Sequence, residues 1–188
     1  MSASELGEAT PRQVWLAVLV AALGYFVDIY DLILFGVVGG RSLRDMGVPP
    51  DQIEHLVGSI LDWQMLGMLV GGLAWGVLGD RRGRLSVLFG SILLYSLANI
   101  AKGMITTPDH YPALRFVAGL GLAGELGAGI TLVSELMSRT GRGWGTTIVA
   151  GVGLMGAVVA GLVDRWFDWR TAYYVGGGMG LALLLLRV

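Results

Sequence analysis

Six stretches of this chain are each long and apolar enough to cross a lipid bilayer, and no other feature narrows its folding options so far. A helix needs about 20 mostly apolar residues to cross roughly 30 Å of hydrocarbon. The stretches run over 13–39, 52–79, 85–105, 110–136, 144–163 and 169–187, with only short polar connections between them. From Gly143 to Val163 there is no charged residue. Inside a bilayer the backbone must satisfy its own hydrogen bonds, so only helices and closed barrels can span it. Barrel strands alternate apolar and polar residues, whereas these runs are continuous. The expected fold is therefore an all-α integral membrane protein with six transmembrane helices. Residues 1–12 form a cytoplasmic N-terminal segment and 13–188 the six-helix transmembrane domain, which leaves no room for a soluble domain.

Composition agrees. Apolar residues make up 54% and charged residues 14% of the chain, against about 25% charged in soluble domains. The 31 glycines lie largely inside apolar runs, where small residues let helix backbones approach closely. They recur at packing spacing: Gly67 with Gly71, Gly72 with Gly76, Gly176 with Gly180. The fourth span carries Gly119, Gly121, Gly124, Gly127 and Gly129, and the fifth Gly151, Gly153, Gly156 and Gly161. A net charge of −1 offers no field to attract nucleic acid. The absence of cysteine excludes disulfides, thiol catalysis and thiolate metal sites. Glu5 and Glu8 stand where the basic region of a cleavable signal would lie, so the first span is expected to be retained.

Orientation follows from the basic residues near the span ends. Arg12, Arg81, Arg82, Arg84, Arg139, Arg142 and Arg187 share one side. Arg41, Arg44, Lys102, Arg165 and Arg170 share the other. The tight arginine cluster between the second and third spans decides the orientation: both termini are cytoplasmic, in a multi-pass protein of the cell inner (plasma) membrane. Trp15, Trp144, Trp166, Trp169, Tyr111 and Tyr173 lie near span ends, as an aromatic belt requires.

The connection between the second and third spans reads GVLGDRRGRLSVL over 76–88. It is a very short cytoplasmic turn with one acid and three arginines, and Gly79 and Gly83 permit the reversal. Asp80 ends one helix, and Arg81 and Arg84 are free to pair with carboxylates or helix C-terminal carbonyls. This string resembles the signature loop of the major facilitator superfamily, with Gly76, Asp80, Arg81, Gly83 and Arg84 matching and Leu85 replacing a basic residue. The stretch RFVAGLGLAGE at 115–125 resembles that family's fourth-helix pattern through Arg115, Gly119 and Gly121. The stretch ELMSRTGRG at 135–143 resembles the element after that helix, with Ser138 in place of proline. Trp169-Arg170 resembles the pair that opens the sixth helix. The resemblance implies one half of a major facilitator fold, six helices arranged as a 3+3 inverted repeat. A faint internal echo pairs Gly76 to Arg81 with Gly161, Asp164 and Arg165. The resemblance also implies that Asp80, Arg84, Glu135 and Arg142 form a cytoplasmic latch between helices. Gly76, Arg81 and Gly83 complete this cytoplasmic gate.

Ionisable groups inside spans are costly and are functional candidates by default. Five stand out: Asp28 and Asp31 in the first span, Asp62 in the second, Arg115 and Glu125 in the fourth. At 1.5 Å per residue, Asp28 and Asp31 lie roughly 22 and 27 Å from the cytoplasmic start of their helix. Asp62 and Glu125 lie roughly 15 and 22 Å from the outer starts of theirs, with Arg115 shallower at roughly 8 Å. Asp28 and Asp31 share a face, with Tyr25 one turn earlier. The segment GYFVDIYDLILFG resembles the first helix of the family's proton-linked metabolite and organic-acid symporters. Four acids against one arginine cannot all stay charged at low dielectric. The expected proton-coupling set is Asp31, Glu125 and Arg115. The expected substrate cavity is Tyr25, Asp28, Asp62 and Gln64.

Catalysis finds no support. His55 and His110 lie at outer span ends without second ligands at metal-site spacing. Ser91 follows Gly90, but no histidine lies deep enough to serve it as a base. The chain is read as a non-enzyme that binds no metal or cofactor. The fifth span lacks the family's proline-containing antiporter motif, which favours symport or uniport. The expected function is secondary active transport of a small polar or anionic metabolite by alternating access, coupled to protons. The superfamily uses two six-span halves, and this chain resembles the N-terminal one. It is expected to work with a missing C-terminal half or as a parallel homodimer. The alternative is a non-transporting fragment or a membrane binding module.

Overall fold

Each apolar run becomes one helix. The computed structural model describes residues 11–136 and 142–186, without the side chains of residues 11–14, 16, 17, 84, 85, 126–136, 142 and 186. The helices are α1 (Pro11–Asp45), α2 (Pro50–Arg82), α3 (Arg84–Met104), α4 (Tyr111–Leu136), α5 (Arg142–Trp166) and α6 (Trp169–Leu186). A 3-10 turn, Pro108–His110, precedes α4. Among the described residues, α1, α2, α3 and α5 each contain a stretch long and apolar enough to cross a membrane.

Observed boundaries fall close to the expected spans, with one clear difference. The first helix continues past residue 39 to Asp45. Its end is set by backbone chemistry instead of hydropathy. Gly47 adopts φ +84°, its N–H donates to Arg44 O at 2.9 Å, and Val48 N–H donates to Leu43 O at 3.0 Å. This left-handed closure satisfies the last carbonyls of the helix. At the other face, α2 and α3 are joined by Gly83 alone, with φ +84° and its N–H on Gly79 O at 3.0 Å. Gly79, expected to share in that reversal, is helical.

The packing plan is set by small residues on chosen faces. α1 runs along α5 and α2 along α4, while α3 lies against α4 and α6. A Cβ at Gly67 or Gly71 would strike the backbone of Phe116 or Leu120, and one at Gly156 would strike Phe26 O. Gly72, Gly76, Gly151 and Gly161 differ from expectation, because a Cβ there would meet open space. Each residue advances about 100° around a helix, so Gly72 points away from the seam that Gly71 occupies.

The main core gathers Tyr30, Leu34, Phe35 and Val38 of α1 with Ile60, Tyr111, Ala160, Trp169 and Tyr173. Burial is uneven. In the apolar stretches of α1 and α3, 56% of residues are buried, against 22% in α2 and α5. α2 and α5 therefore present most of their surface outward, with Leu69, Leu73, Leu154, Met155 and Val158 exposed. Such a surface is suited to lipid or to further apolar helices, not to water.

Polar ties join the helix ends near α6. Arg41 pairs with Asp164 at 3.3 Å and donates to Phe167 O at 2.9 Å. Trp169 Nε1 donates to Asp45 Oδ2 at 2.9 Å. Arg170 Nη1 donates to Gly103 O at 3.2 Å and Ile105 O at 2.7 Å, satisfying carbonyls at the end of α3. Asp168 caps α6 by accepting from Arg170 N–H at 3.1 Å, Thr171 N–H at 3.3 Å and the Thr171 hydroxyl. That hydroxyl first, and then the backbone N–H groups, hold the Asp168 carboxyl below the usual carboxylate range.

Candidate functional site

Among the described residues, one buried carboxylate is held between two buried cations. Asp31 of α1 is fully buried. Lys102 Nζ, from the last turn of α3, donates to its Oδ1 at 3.1 Å. Arg115 Nη1, from the start of α4, stands 3.4 Å from its Oδ2. All three side chains are closed to solvent. Removing such charges from water costs several kcal/mol each, so the cluster is poor evidence of stability and good evidence of function.

Arg115 has further partners. Its Nη1 donates to Gln64 Oε1 of α2 at 3.0 Å and its Nη2 to the Tyr173 hydroxyl of α6 at 3.0 Å. The guanidinium carbon lies 4.3 Å over the Phe35 ring. Tyr111 donates to Tyr173 at 3.0 Å, and the Tyr111 and Ser42 hydroxyls stand 2.9 Å apart. Tyr30 donates to Ala172 O at 2.8 Å, and Asn99 of α3, also buried, sits beside Asp31. Five helices thus converge on one buried network, and α5 supplies none of these side chains.

The structure brings together part of the expected set. Asp31 and Arg115 meet, and Gln64, placed with the substrate cavity by sequence, joins them instead. Glu125 is buried but stands about 15 Å further along α4 than Arg115. Tyr95 of α3 is another buried phenol, and its hydroxyl donates to Val27 O at 3.4 Å. Asp28 is buried one turn before Asp31. Tyr25 packs its ring against Gly153 of α5. Asp62 is exposed on α2. Gly76, Asp80, Arg81 and Gly83 are exposed at the α2–α3 end. The side chains of Arg84, Glu135 and Arg142, expected in a latch with Asp80, lie outside the described residues.

Two assignments need correction. Lys102, expected with the outer basic residues and not with the buried ionisable groups, has none of its surface exposed. A lysine two residues from a span end reads by default as reaching outward. The signal that finds it is the polar row Ser96, Asn99 and Lys102 at three-residue steps, one face of α3. Likewise Tyr111, Tyr173 and Trp169, expected in an aromatic belt, are buried, with 0%, 0% and 2% of their surface exposed. Their rings wall the charge cluster. Trp15, Trp144 and Trp166 are exposed as a belt requires.

A family model described as Major Facilitator Superfamily matches residues 14–188. A Haemophilus influenzae protein named for metabolite transport is 32% identical, over 86% of this chain and 40% of its own length. The niacin transporter NiaP of Acinetobacter baylyi is 32% identical, over 84% of this chain and 36% of its own. The 4-hydroxybenzoate transporter PcaK of the same organism is 30% identical, over 94% and 39%. The chain therefore spans well under half the length of these relatives. A solved structure of the proton:xylose symporter XylE superposes with a TM-score of 0.81 at 16% identity, over 95% of this chain and 45% of that one. That likeness is one of fold.

Proposed function

The chain belongs to the Major Facilitator Superfamily, and from that premise we propose that it is the N-terminal six-helix half of a secondary active transporter, carrying a small organic anion across the inner membrane with protons. The buried pair of Asp31 and Arg115 carries this reading. It joins α1 to α4 at 3.4 Å, and a proton on the carboxylate would remove the attraction between the two charges. Asp31 with Arg115 couples the proton, and Glu125 is the second proton-binding acid. Tyr25, Asp28, Asp62 and Gln64 serve the substrate side. Niacin and 4-hydroxybenzoate, named for two relatives, are small aromatic carboxylates, which supports an anionic substrate.

The 3+3 inverted repeat is supported by the packing plan. Exchanging helices one with four, two with five and three with six turns the α1–α5 seam into the α4–α2 seam. A missing partner half is supported by the outward surfaces of α2 and α5 and by Asp62 among them, since a mid-span acid does not face lipid. The exposed Arg81 and Arg82 support a cytoplasmic α2–α3 turn, and with it cytoplasmic termini. Asp80, Arg84, Glu135 and Arg142 form the latch there.

The test is uptake of labelled 4-hydroxybenzoate by proteoliposomes holding the chain, with and without an inward proton gradient. Gradient-driven accumulation that a protonophore abolishes is the expected result. Binding without uptake would make the chain, by itself, a non-transporting fragment or a binding module. Sizing in detergent separates monomer from parallel homodimer.

A further inference from the structure

The two cations on Asp31 are not equivalent. Arg115 is lodged independently of Asp31, by Gln64, by Tyr173 and by the Phe35 ring beneath it. Lys102 has no such anchorage: among the described residues its ammonium donates to Asp31 alone. The ammonium also lies 4.9 Å over the Tyr173 ring. Neutralising Asp31 would leave Arg115 its Gln64 and Tyr173 contacts, whereas Lys102 would lose the carboxylate charge that, among the described residues, is the one paired with it. A buried cation that loses its counter-charge is relieved by moving toward water or by giving up its proton, and Lys102 lies two residues from the end of α3.

We propose that Lys102 is the residue that turns protonation of Asp31 into movement: it clamps the outer end of α3 to α1 while Asp31 is charged, and lets go when Asp31 takes a proton. This rests on the reading of Asp31 as a proton acceptor. Lys102 is a positioning residue and touches no substrate in this account. It also governs when the clamp opens, because it supplies the nearer of the two positive charges on Asp31. The groups facing the pair fit that role. From α1 come Asp28, one turn away, and the phenol of Tyr30. From α3, α4 and α6 come the phenols of Tyr95, Tyr111 and Tyr173, with Glu125 further along α4.

Two measurements test this without needing a substrate. The first is infrared titration of the membrane-embedded protein, following the carboxylic acid C=O band that disappears in Asp31→Asn. Replacing Lys102 with Met should raise the pH midpoint of that band by about one to three units, the range an opposite charge imposes on a carboxylate. Lys102→Arg should leave it near wild type. The second is the distance between spin labels on cysteines placed at Arg44 and Met104, both exposed, in a chain that has no cysteine of its own. The distance should change in wild type as pH falls through the midpoint, persist in Lys102→Arg and lose its pH response in Lys102→Met. An unchanged midpoint, or a pH response surviving in Lys102→Met, overturns the proposal. If Lys102→Met does not fold, Lys102→Gln takes its place; failure of both with a folded Lys102→Arg would make the lysine structural and equally overturn it. If both measurements succeed while 4-hydroxybenzoate uptake is absent, the transport reading fails and the clamp stands.

Discussion

The carboxylate of Asp31 and the ammonium of Lys102 meet at 3.1 Å across 71 positions of sequence, with both side chains closed to solvent. Arg115 completes the arrangement on the other carboxylate oxygen. An anion shared by two cations makes the three side chains unequal in what their loss leaves behind.

Removing the acid should cost most. Asp31→Asn leaves two buried cations without their counter-charge and should destabilise the folded protein by about 3–5 kcal/mol. Lys102→Met should cost less than half as much, because Asp31 keeps Arg115. Reversible unfolding in mixed micelles, followed by circular dichroism, reads both. Equal costs would mean that the Lys102 pair carries as much stability as the whole cluster.

The α2–α4 seam makes a steric prediction. Gly67→Leu and Gly71→Leu place side chains into the backbone of Phe116 and Leu120 and should sharply lower the yield of monodisperse protein. Gly72→Leu, one residue on and facing open space, should be tolerated. Size-exclusion profiles of the three variants compare them directly. A Gly71→Leu protein as well behaved as Gly72→Leu would show that the helices do not pack as described.

The proposed latch is tested at its exposed acid. Asp80→Asn should lower 4-hydroxybenzoate uptake severalfold while leaving membrane insertion and detergent stability near wild type. Wild-type uptake by the folded variant removes Asp80 from the gate.

The cap of α6 gives a pH dependence with a definite sign. The Asp168 carboxyl is held below its ordinary value of about 3.9 by the Thr171 hydroxyl and the helix N–H groups. A depressed folded value means stabilisation that is fully present above the unfolded value and lost as pH falls through the folded one. Asp168→Ala should therefore cost roughly 1 kcal/mol at neutral pH. The gap between wild type and variant should close on acidification below about pH 4. Melting temperatures at pH 7 and at stepwise lower pH check it; a gap that widens in acid contradicts the assignment.

Much of the architecture is legible in the residues. Runs of apolar side chains can be counted against bilayer thickness, and the Gly76–Arg84 string sits between the second and third runs where it should. Asp31 and Arg115 are also legible as partners, because charges inside apolar runs are few. The end of α1 was less so: hydropathy stops near residue 39, while the helix runs on until Gly47 turns the chain.

The cluster's other members show where reading by sequence stops. Lys102, Tyr111 and Tyr173 sit at span ends, where long or amphipathic side chains ordinarily point to the interface. Distance along the helix axis says how deep a Cα lies, but not which way its side chain turns. Similarly, glycine spacing marks which residues can permit close contact, but not which face the neighbour occupies. Local composition alone determined that this protein is helical, membrane-embedded and built around a few buried charges. Only the tertiary structure decided that Lys102 turns inward to Asp31 and that tyrosines from α4 and α6 enclose the pair. Those contacts are made between helices distant in sequence, and their direction is set by how α1, α3, α4 and α6 pack together.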